Sequence, residues 1–405
     1  MASRPRWRDS TFLVVLLLVA FNLRTAITSV SPVLVDIERS LGLDGASAGV
    51  LTALPVLCLA FFAPVSAKAV RRWGSDRTIA WALLTQVLGL VLRLGGSNVV
   101  ALYAGTLLAG MGIAMVNAVL PSIVNARYPS RSGAVVGLYV MSLGMGAAVA
   151  SGVSVPLAQV LGGWPASLAV WAGPALLALF GWVSLTRLAR RGGTTSSEPD
   201  AGPALDRPQG LPWRSRTAWH ISIYLALQAF VYYSVVAWFA PSYEALGWSA
   251  TRAGLLFSVV SLVQVVAAPI VPALAAKRLD RRPFFWASAS LALVGIIGVV
   301  AIPTFAPWPT ACVLGIGIGG LFPLGVTLLV DHAADPGASA RLSAMAFLFT
   351  YLVAASGPVL LGGLHDATGS FETGWVVVAA FMAAVIVSVS WLTPHRRAIA
   401  RQGGM

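Results

Sequence analysis

Residues 12–34 read FLVVLLLVAFNLRTAITSVSPVL, an apolar run that contains a single charged side chain, Arg24. A helix needs about 20 mostly apolar residues to cross the hydrocarbon core of a bilayer. The run therefore predicts a membrane-spanning helix with a cation near its middle. A charge at that depth costs roughly 2.5–3.5 kcal/mol on insertion scales, so it usually indicates a functional site. We expect Arg24 to be the only Lys, Arg, Asp or Glu well inside any span.

The composition supports a polytopic membrane protein rather than a globular enzyme. The chain has 405 residues, of which 58% are hydrophobic and 10% charged, whereas a soluble domain has about 25% charged residues. Cys58 and Cys312 both lie in apolar runs, so no disulfide framework is predicted. With four histidines and no metal-binding cluster or Ser/His/Asp set in one region, the sequence predicts neither an enzyme nor a metal or cofactor site.

Apolar runs of similar length recur along the chain and predict an all-α fold with twelve transmembrane helices. The predicted spans are 11–34, 47–67, 78–95, 99–123, 133–156, 166–186, 217–240, 252–275, 283–302, 308–330, 341–362 and 374–393. The longest connection, 187–216, contains a polar stretch of Gly, Thr and Ser with no packing potential. We therefore expect an N-terminal six-helix bundle (1–186), a cytoplasmic linker (187–216) and a C-terminal six-helix bundle (217–405).

The basic residues predict the orientation. If the N-terminus is cytoplasmic, 23 Lys and Arg residues fall in cytoplasmic segments, and only Arg39, Arg93 and Arg252 fall in external ones. Short cytoplasmic loops carry such an excess of positive charge. Both termini are thus expected in the cytoplasm of a cell with this protein in its inner membrane. The net charge of +13 belongs to these loops, so nucleic acid is not an expected partner.

The two predicted bundles repeat a pattern. In the second span, Pro64 follows Gly49 by fifteen residues, and in the eighth span Pro269 follows Gly254 at the same spacing. Both members of the second pair are offset from the first by 205 residues. Parallel six-helix repeats joined by a linker are one plan of secondary transporters. The repeat therefore predicts two pseudo-symmetric bundles.

The first span also carries a specific resemblance. Residues 21–26, Phe-Asn-Leu-Arg-Thr-Ala, followed by Pro32, resemble the first helix of the cyanate-permease and 2-nitroimidazole-transporter branch of the major facilitator superfamily. The stretches 54–58, 117–121 and 238–241 fit the same branch, so the resemblance covers nearly the whole chain. It implies the fold of that superfamily, a monomer, and transport of small anions or weakly acidic heteroaromatics in either direction.

The loop between the second and third spans departs from the superfamily's general motif. Arg71, Arg72, Asp76 and Arg77 keep its basic character without its spacing. They are candidate gating residues only by analogy.

Polar residues of the first span share a face with Arg24. At 100° per residue, Thr28 lies about 40° from Arg24 and Ser31 about 20° away on the other side. Asn22 lies about 160° away, which favours a bond to a neighbouring helix unless the helix unwinds there. An unpaired buried cation is costly, and a guanidinium matches carboxylate-like or azolate groups. We therefore predict that Arg24 contacts an anionic solute; the competing interpretation is a packing cation held by backbone carbonyls.

Further candidates come from spans that the resemblance places around a central cavity, namely spans 1, 4, 7 and 10. Asn117 in span 4 is predicted either to bind solute or to join helices across small residues. Gln228 and Tyr232 are four residues apart and share a face of span 7. Tyr233 and Trp238 are candidates for aromatic walls, or for packing.

The absence of a deep carboxylate bears on energy coupling. Proton-driven pumps usually carry an embedded Asp, Glu or His, so we expect facilitated diffusion, exchange, or symport in which the proton rides on the substrate. The sequence thus predicts a secondary transporter that moves a small anionic or weakly acidic solute by alternating access, with Arg24 as the central cation. Two alternatives stay open: a multidrug or nitroimidazole-type exporter with an apolar aromatic pocket, and a non-transporting membrane receptor.

Overall fold

The computed structural model describes residues 6–96, 98–128, 132–191, 211–278, 280–333 and 336–392. Fourteen α-helices are numbered here in chain order. They are α1 Arg6–Thr28, α2 Leu34–Leu41, α3 Gly45–Trp73, α4 Ser75–Leu92, α5 Val99–Arg127, α6 Ser132–Leu161, α7 Trp164–Ala169, α8 Ala172–Arg191, α9 Arg216–Ala245, α10 Ala250–Ala275, α11 Arg282–Ala301, α12 Pro307–Asp331, α13 Pro336–Thr368 and α14 Phe371–Val389. The described residues contain no strand, which confirms the all-α prediction.

The predicted spans are found as helices, although a turn at Val170 and Trp171 divides the sixth into α7 and α8. Eleven described segments are long and apolar enough to cross a membrane. The third span is the eighteen-residue α4, which is less apolar because its first turn holds Asp76 and Arg77. Several helices are longer than their predicted spans. For example, α13 runs from Pro336 to Thr368, because its end turns contain polar residues that a search for apolar runs leaves out. Residues 192–210 of the predicted linker lie outside the described part, so the domain boundaries stay a prediction.

The first span is not the continuous helix that 11–34 predicted. The helix α1 ends at Thr28, a 3-10 turn covers Ser31–Val33, and α2 then begins at Leu34. Pro32 explains the break, because proline cannot donate a helical hydrogen bond and disfavours helical geometry in the residue before it. The backbone N–H of Val30 accordingly bonds back to Ile27, at 3.5 Å, rather than one residue further.

The helices form two halves that touch along two helix pairs. We call α1–α8 the N-terminal half and α9–α14 the C-terminal half. We call the end of the bundle where α1 begins the proximal end, and the opposite end, which holds α2, the distal end. Across the halves α3 packs on α13, and α6 packs on α10. In the second of these pairs the Ser258 hydroxyl of α10 donates to the backbone oxygen of Ala148 in α6, at 2.8 Å.

At the distal end the backbones of the two halves come into close contact. The Asp366 carboxylate of α13 accepts hydrogen bonds from the first two backbone N–H groups of α3, Gly45 at 2.8 Å and Ala46 at 2.9 Å. One turn further, a methyl group on Gly49 would collide with the backbone of Pro358. The N-terminus of α3 is therefore held by a residue of the opposite half, and the distal end of the protein is closed.

Candidate functional site

Arg24 lies where the two halves face each other. Its Nη1 donates to the hydroxyl of Tyr233 in α9, at 3.4 Å. Its Cζ lies 5.3 Å from the ring centroid of Tyr232 and 5.9 Å from that of Tyr233, within the range of a cation–π contact. These two tyrosine rings meet edge to face, with centroids 5.0 Å apart. The structure thus brings Tyr232 and Tyr233 next to Arg24, and their contact with a solute stays a prediction.

Two more tyrosines lie within electrostatic range of the same cation and were not predicted. They are Tyr351 of α13, which packs against the small buried cluster that contains Tyr233, and Tyr139 of α6. The Tyr139 hydroxyl donates to Oδ1 of Asn117 at 2.9 Å. Single tyrosines in apolar helices carry no periodic signal in the sequence, so only the tertiary structure brings them to Arg24. We call Arg24 and its four tyrosines the arginine–tyrosine cluster.

The Arg24 side chain has no acidic partner within the described residues, where its hydrogen bond goes to Tyr233. Although it sits in the centre of the bundle, it is only partly buried. Tyr232 and Tyr351 are also partly exposed, whereas Tyr233 is 4% exposed. A partly exposed cation inside a helical bundle lines a cavity. The arrangement presents positive charge, phenolic hydroxyls and aromatic faces to whatever occupies that cavity.

The other polar residues of the first span make backbone contacts. The Thr28 hydroxyl donates to the backbone oxygen of Arg24 at 2.9 Å and also approaches that of Ala147 at 3.3 Å. The Ser31 hydroxyl donates across the halves to Ala237 of α9, at 2.9 Å. Nδ2 of Asn22 donates to Leu18 of its own helix, at 2.7 Å. The contacts of Thr28 and Ser31 join helices. The expected bond from Asn22 to a neighbouring helix is wrong, because its amide turns back to the carbonyl one turn earlier in its own helix. Solute contact by any of the three stays a prediction.

The remaining candidates differ in their accessibility. Gln228 is 4% exposed, and its Nε2 donates to Leu225 of its own helix at 3.1 Å. Trp238 is fully buried, and its Nε1 donates to the backbone oxygen of Pro358 in α13 at 2.8 Å. Asn117 is partly exposed and sits behind Tyr139. Of these three, Asn117 is the one that the structure joins to the arginine–tyrosine cluster.

A second buried cation corrects the expectation that Arg24 is the only one inside the protein. Arg93 follows the last residue of α4, where the sequence predicted an external end, but its side chain is 0% exposed. Its Nη1 donates to the backbone oxygen of Ala26 in α1, at 3.0 Å. Arginine at a span end normally reaches water or headgroups, so the sequence offers no signal that this side chain turns inward.

The candidate gating residues lie at the proximal end. Arg71 and Arg72 occupy the last turn of α3, and Gly74, with φ 80°, separates that helix from α4. Asp76 lies in the first turn of α4, and its backbone oxygen accepts from Nε1 of Trp182 at 3.1 Å. The side chains of Arg71, Arg72, Asp76 and Arg77 are thus placed around one interhelical turn, and their gating role stays a prediction.

Comparison with known proteins agrees with this architecture. The model of the Major Facilitator Superfamily matches residues 16–334 and 239–404. The chain is 36% identical over 369 residues to the uncharacterized transporter YycB of Bacillus subtilis, covering 90% of this chain and 89% of that protein. It is 32% identical to the 2-nitroimidazole transporter of Escherichia coli, over 90% of each chain. It is 31% identical to the cyanate transport protein CynX of the same organism, over 94% of this chain and 96% of that one.

Solved structures show the same fold at lower identity. A bacterial homolog of the human lysosomal transporter Spinster, in an inward-facing and occupied conformation, aligns with a TM-score of 0.80 over 96% of this chain and 97% of that one, at 16% identity. A D-xylose–proton symporter aligns with a TM-score of 0.74 over 95% and 99% of the two chains, at 15% identity. The chain is therefore a membrane transporter of the major facilitator superfamily, in its branch of cyanate and 2-nitroimidazole transporters.

Proposed function

We propose that this transporter moves a small anionic or weakly acidic solute, and that Arg24 is the cation that binds it. The observation that carries the proposal is a partly exposed central arginine with no acidic partner in the described chain. An uncompensated buried charge is expensive. A solute that carries a negative charge compensates the charge of Arg24 when it enters. The occupied site is therefore lower in energy than the empty one.

The tyrosines support a solute with a flat, electron-rich group. Hydroxyls on Tyr233 and Tyr351 can donate to oxygen or nitrogen acceptors, while the exposed ring of Tyr232 offers a surface for stacking. A guanidinium adds two parallel donors that suit carboxylate-like or azolate groups. The names of two relatives agree with this chemistry, since cyanate is a small anion and 2-nitroimidazole a weakly acidic azole.

Alternating access follows from the contacts between the halves. Because basic residues are in excess in the proximal loops, we assign the proximal end to the cytoplasm and the distal end to the outside. Because the distal end is closed by the Asp366 contact, the solute site of this conformation would open toward the cytoplasm. Transport then requires the halves to part distally and to meet proximally, with Arg24 accessible from each side in turn.

Thermal unfolding of the purified protein tests the proposal. Cyanate, nitrate, acetate and 2-nitroimidazole are added in turn to the wild type, to Arg24→Gln and to a control, Arg252→Gln. Arg252 lies at the distal end, with its Cζ 3.8 Å from the ring centroid of Trp248. Loss of one hydrogen bond to a charged group costs about 1.5–3 kcal/mol. We therefore expect Arg24→Gln to raise the dissociation constant of the bound anion, obtained from the thermal-shift titration, at least tenfold. Arg252→Gln should bind the anion as the wild type does.

A second candidate function is supported by the aromatic walls of the same cavity. An exporter of neutral drugs would use the four tyrosine rings and would not require the cation. Stabilisation by neutral aromatic compounds that persists in Arg24→Gln would favour this exporter and reject the anion site. The receptor alternative is disfavoured because the chain belongs to a family of transporters.

A further inference from the structure

Two long polar side chains of α4 reach the backbone of α1 on either side of Arg24. Nε2 of Gln86 donates to the backbone oxygen of Asn22 at 2.8 Å, and Nη1 of Arg93 donates to that of Ala26 at 3.0 Å. Both side chains are 0% exposed. The helix α4 packs mainly on α5 and α8. The two hydrogen bonds therefore connect the third span to α1, which is not one of the main packing partners of α4.

The carbonyl that Arg93 contacts is one that the break in α1 leaves without its usual partner. In an α-helix the oxygen of Ala26 would accept from the N–H of Val30. That N–H instead bonds to Ile27, because the helix ends at Thr28. An orphaned carbonyl buried at a helix end requires another donor, and the guanidinium of Arg93 supplies it.

The two donors lie about two turns apart along the third span, and the carbonyls that they contact lie about one turn apart in the first span. Residues seven apart lie about 20° from each other around a helix, so Gln86 and Arg93 project from one face of α4. The carbonyls that they hold, on Asn22 and Ala26, bracket the turn that carries Arg24. Two fixed points on one turn determine both its rotation and the position of its end.

The contacts are difficult to explain by stability alone. Oε1 of Gln86 and both Nε and Nη2 of Arg93 are buried without a hydrogen-bond partner. Unsatisfied buried polar groups destabilise a fold, and well-packed apolar residues of similar size often serve stability better. An arrangement that keeps such groups therefore has a use other than packing.

The other half of the protein does not repeat this arrangement. With the repeat offset of 205 residues, the positions that correspond to Gln86 and Arg93 are Leu291 and Gly298, and the position that corresponds to Arg24 is Ala229. The polar pair thus occurs in the half that carries the central cation and is replaced by Leu and Gly in the half that lacks it.

We propose that Gln86 and Arg93 are positioning residues that aim the Arg24 turn into the central cavity. The assignment rests on the proposed solute-binding role of Arg24. It adds that this role depends on two side chains of the third span that are fully buried and so do not line the cavity. Removing either donor lets the turn rotate or unwind toward the break at Ser29, and the side chain at position 24 then leaves the cavity for part of the time.

Thiol labelling measures the position of this turn without any solute. The reporter is Arg24→Cys in a background that carries Cys58→Ala and Cys312→Ala, modified with a small methanethiosulfonate reagent. We compare the modification rate in this background with the rates after adding Gln86→Leu, Arg93→Met or Arg93→Lys. The control is Thr78→Val, because Thr78 is equally buried in α4 and its hydroxyl donates within its own helix, to Gly74.

Gln86→Leu and Arg93→Met are expected to change the modification rate about fivefold or more, with Arg93→Lys closer to the reporter background because its ammonium can still donate to Ala26. Thr78→Val is expected to leave the rate within twofold of that background. If Gln86→Leu and Arg93→Met match Thr78→Val in rate, the two residues are structural and the proposal is overturned. Should Arg93→Met fail to fold, Gln86→Leu decides the question by the same criterion against Thr78→Val. The solute-binding role of Arg24 is tested separately by the anion titration, so the two failures are distinguishable.

Discussion

Replacing Asp366 by Asn is expected to loosen the distal contact between the halves. The carboxylate accepts from Gly45 N–H at 2.8 Å through Oδ1 and from Ala46 N–H at 2.9 Å through Oδ2. An amide keeps one acceptor but turns its NH₂ toward the second N–H. The variant therefore loses one hydrogen bond together with the favourable effect of a negative charge at a helix N-terminus.

The size of the effect follows from these two losses. A hydrogen bond contributes about 0.5–1.5 kcal/mol, and a charge at a helix terminus typically about 0.3–1 kcal/mol. Their sum, about 0.8–2.5 kcal/mol, changes an equilibrium ratio roughly 4- to 70-fold. Because Asp366 meets α3 only when the halves touch distally, the whole effect falls on the equilibrium between the distally closed and open forms.

The chain provides a matched control on the same helix. Asp44 precedes α3 and accepts from the backbone N–H of Ser47 at 2.8 Å, within the N-terminal half. Hydrogen bonding from the Ser47 side chain, together with this backbone bond, holds the pKa of Asp44 below its usual value. Asp44→Asn weakens the cap of α3 in both forms alike. It should therefore lower the unfolding temperature without changing the proportion of open molecules.

Spin labels on the two halves report the opening. Val100 and Phe305 are exposed by 74% and 86% near the distal ends of α5 and α11, and both can be replaced by Cys in the cysteine-free background. Pulsed electron–electron resonance should show a longer-distance population that grows in Asp366→Asn and not in Asp44→Asn. Equal distance distributions in Asp366→Asn and the wild type, or an equal shift in Asp44→Asn, would refute the reasoning.

Three further predictions follow from single contacts. Gly49→Ala places a methyl group against the backbone of Pro358, so transport should fall strongly while circular dichroism shows both halves still folded. Tyr232→Ala removes the nearer ring from Arg24 and should weaken anion binding by about 0.5–2 kcal/mol in thermal-shift titrations, whereas Tyr233→Phe keeps its ring and should cost less. Arg281→Gln breaks a partly exposed ion pair of 2.7 Å at the proximal end and should lower the free energy of unfolding by only about 0–1 kcal/mol.

The fold could be predicted from the sequence because bilayer thickness sets the length of each apolar run. The repeat of the Gly49–Pro64 spacing at Gly254–Pro269 indicated which spans of the two bundles are equivalent. Arg24 was found for the same reason, since a charge is conspicuous among apolar residues. A helical wheel also placed Thr28 correctly beside Arg24, but it cannot show that the hydroxyl is already bonded to backbone carbonyls.

The residues that escaped prediction depend on contacts between distant parts of the chain. Tyr139 and Tyr351 lie within electrostatic range of Arg24 from two other helices, and nothing in their neighbouring sequence indicates which way they face. Arg93 and Asp366 lie at or near the ends of spans, where charged residues are ordinary. Their partners, Ala26 and Gly45, are backbone groups, and a backbone group has no signature in a sequence.

The close approach of Gly45 and Gly49 to α13 has a consequence for the speed of the transport cycle. Surfaces that close through long side chains must freeze many rotamers, at up to about 2 kcal/mol for each Lys, Arg or Met. Glycine has no rotamers to lose, so a gate in which backbone meets backbone closes with little loss of side-chain entropy. Such a gate can be held by a contact as small as the Asp366 cap and still be released by thermal motion.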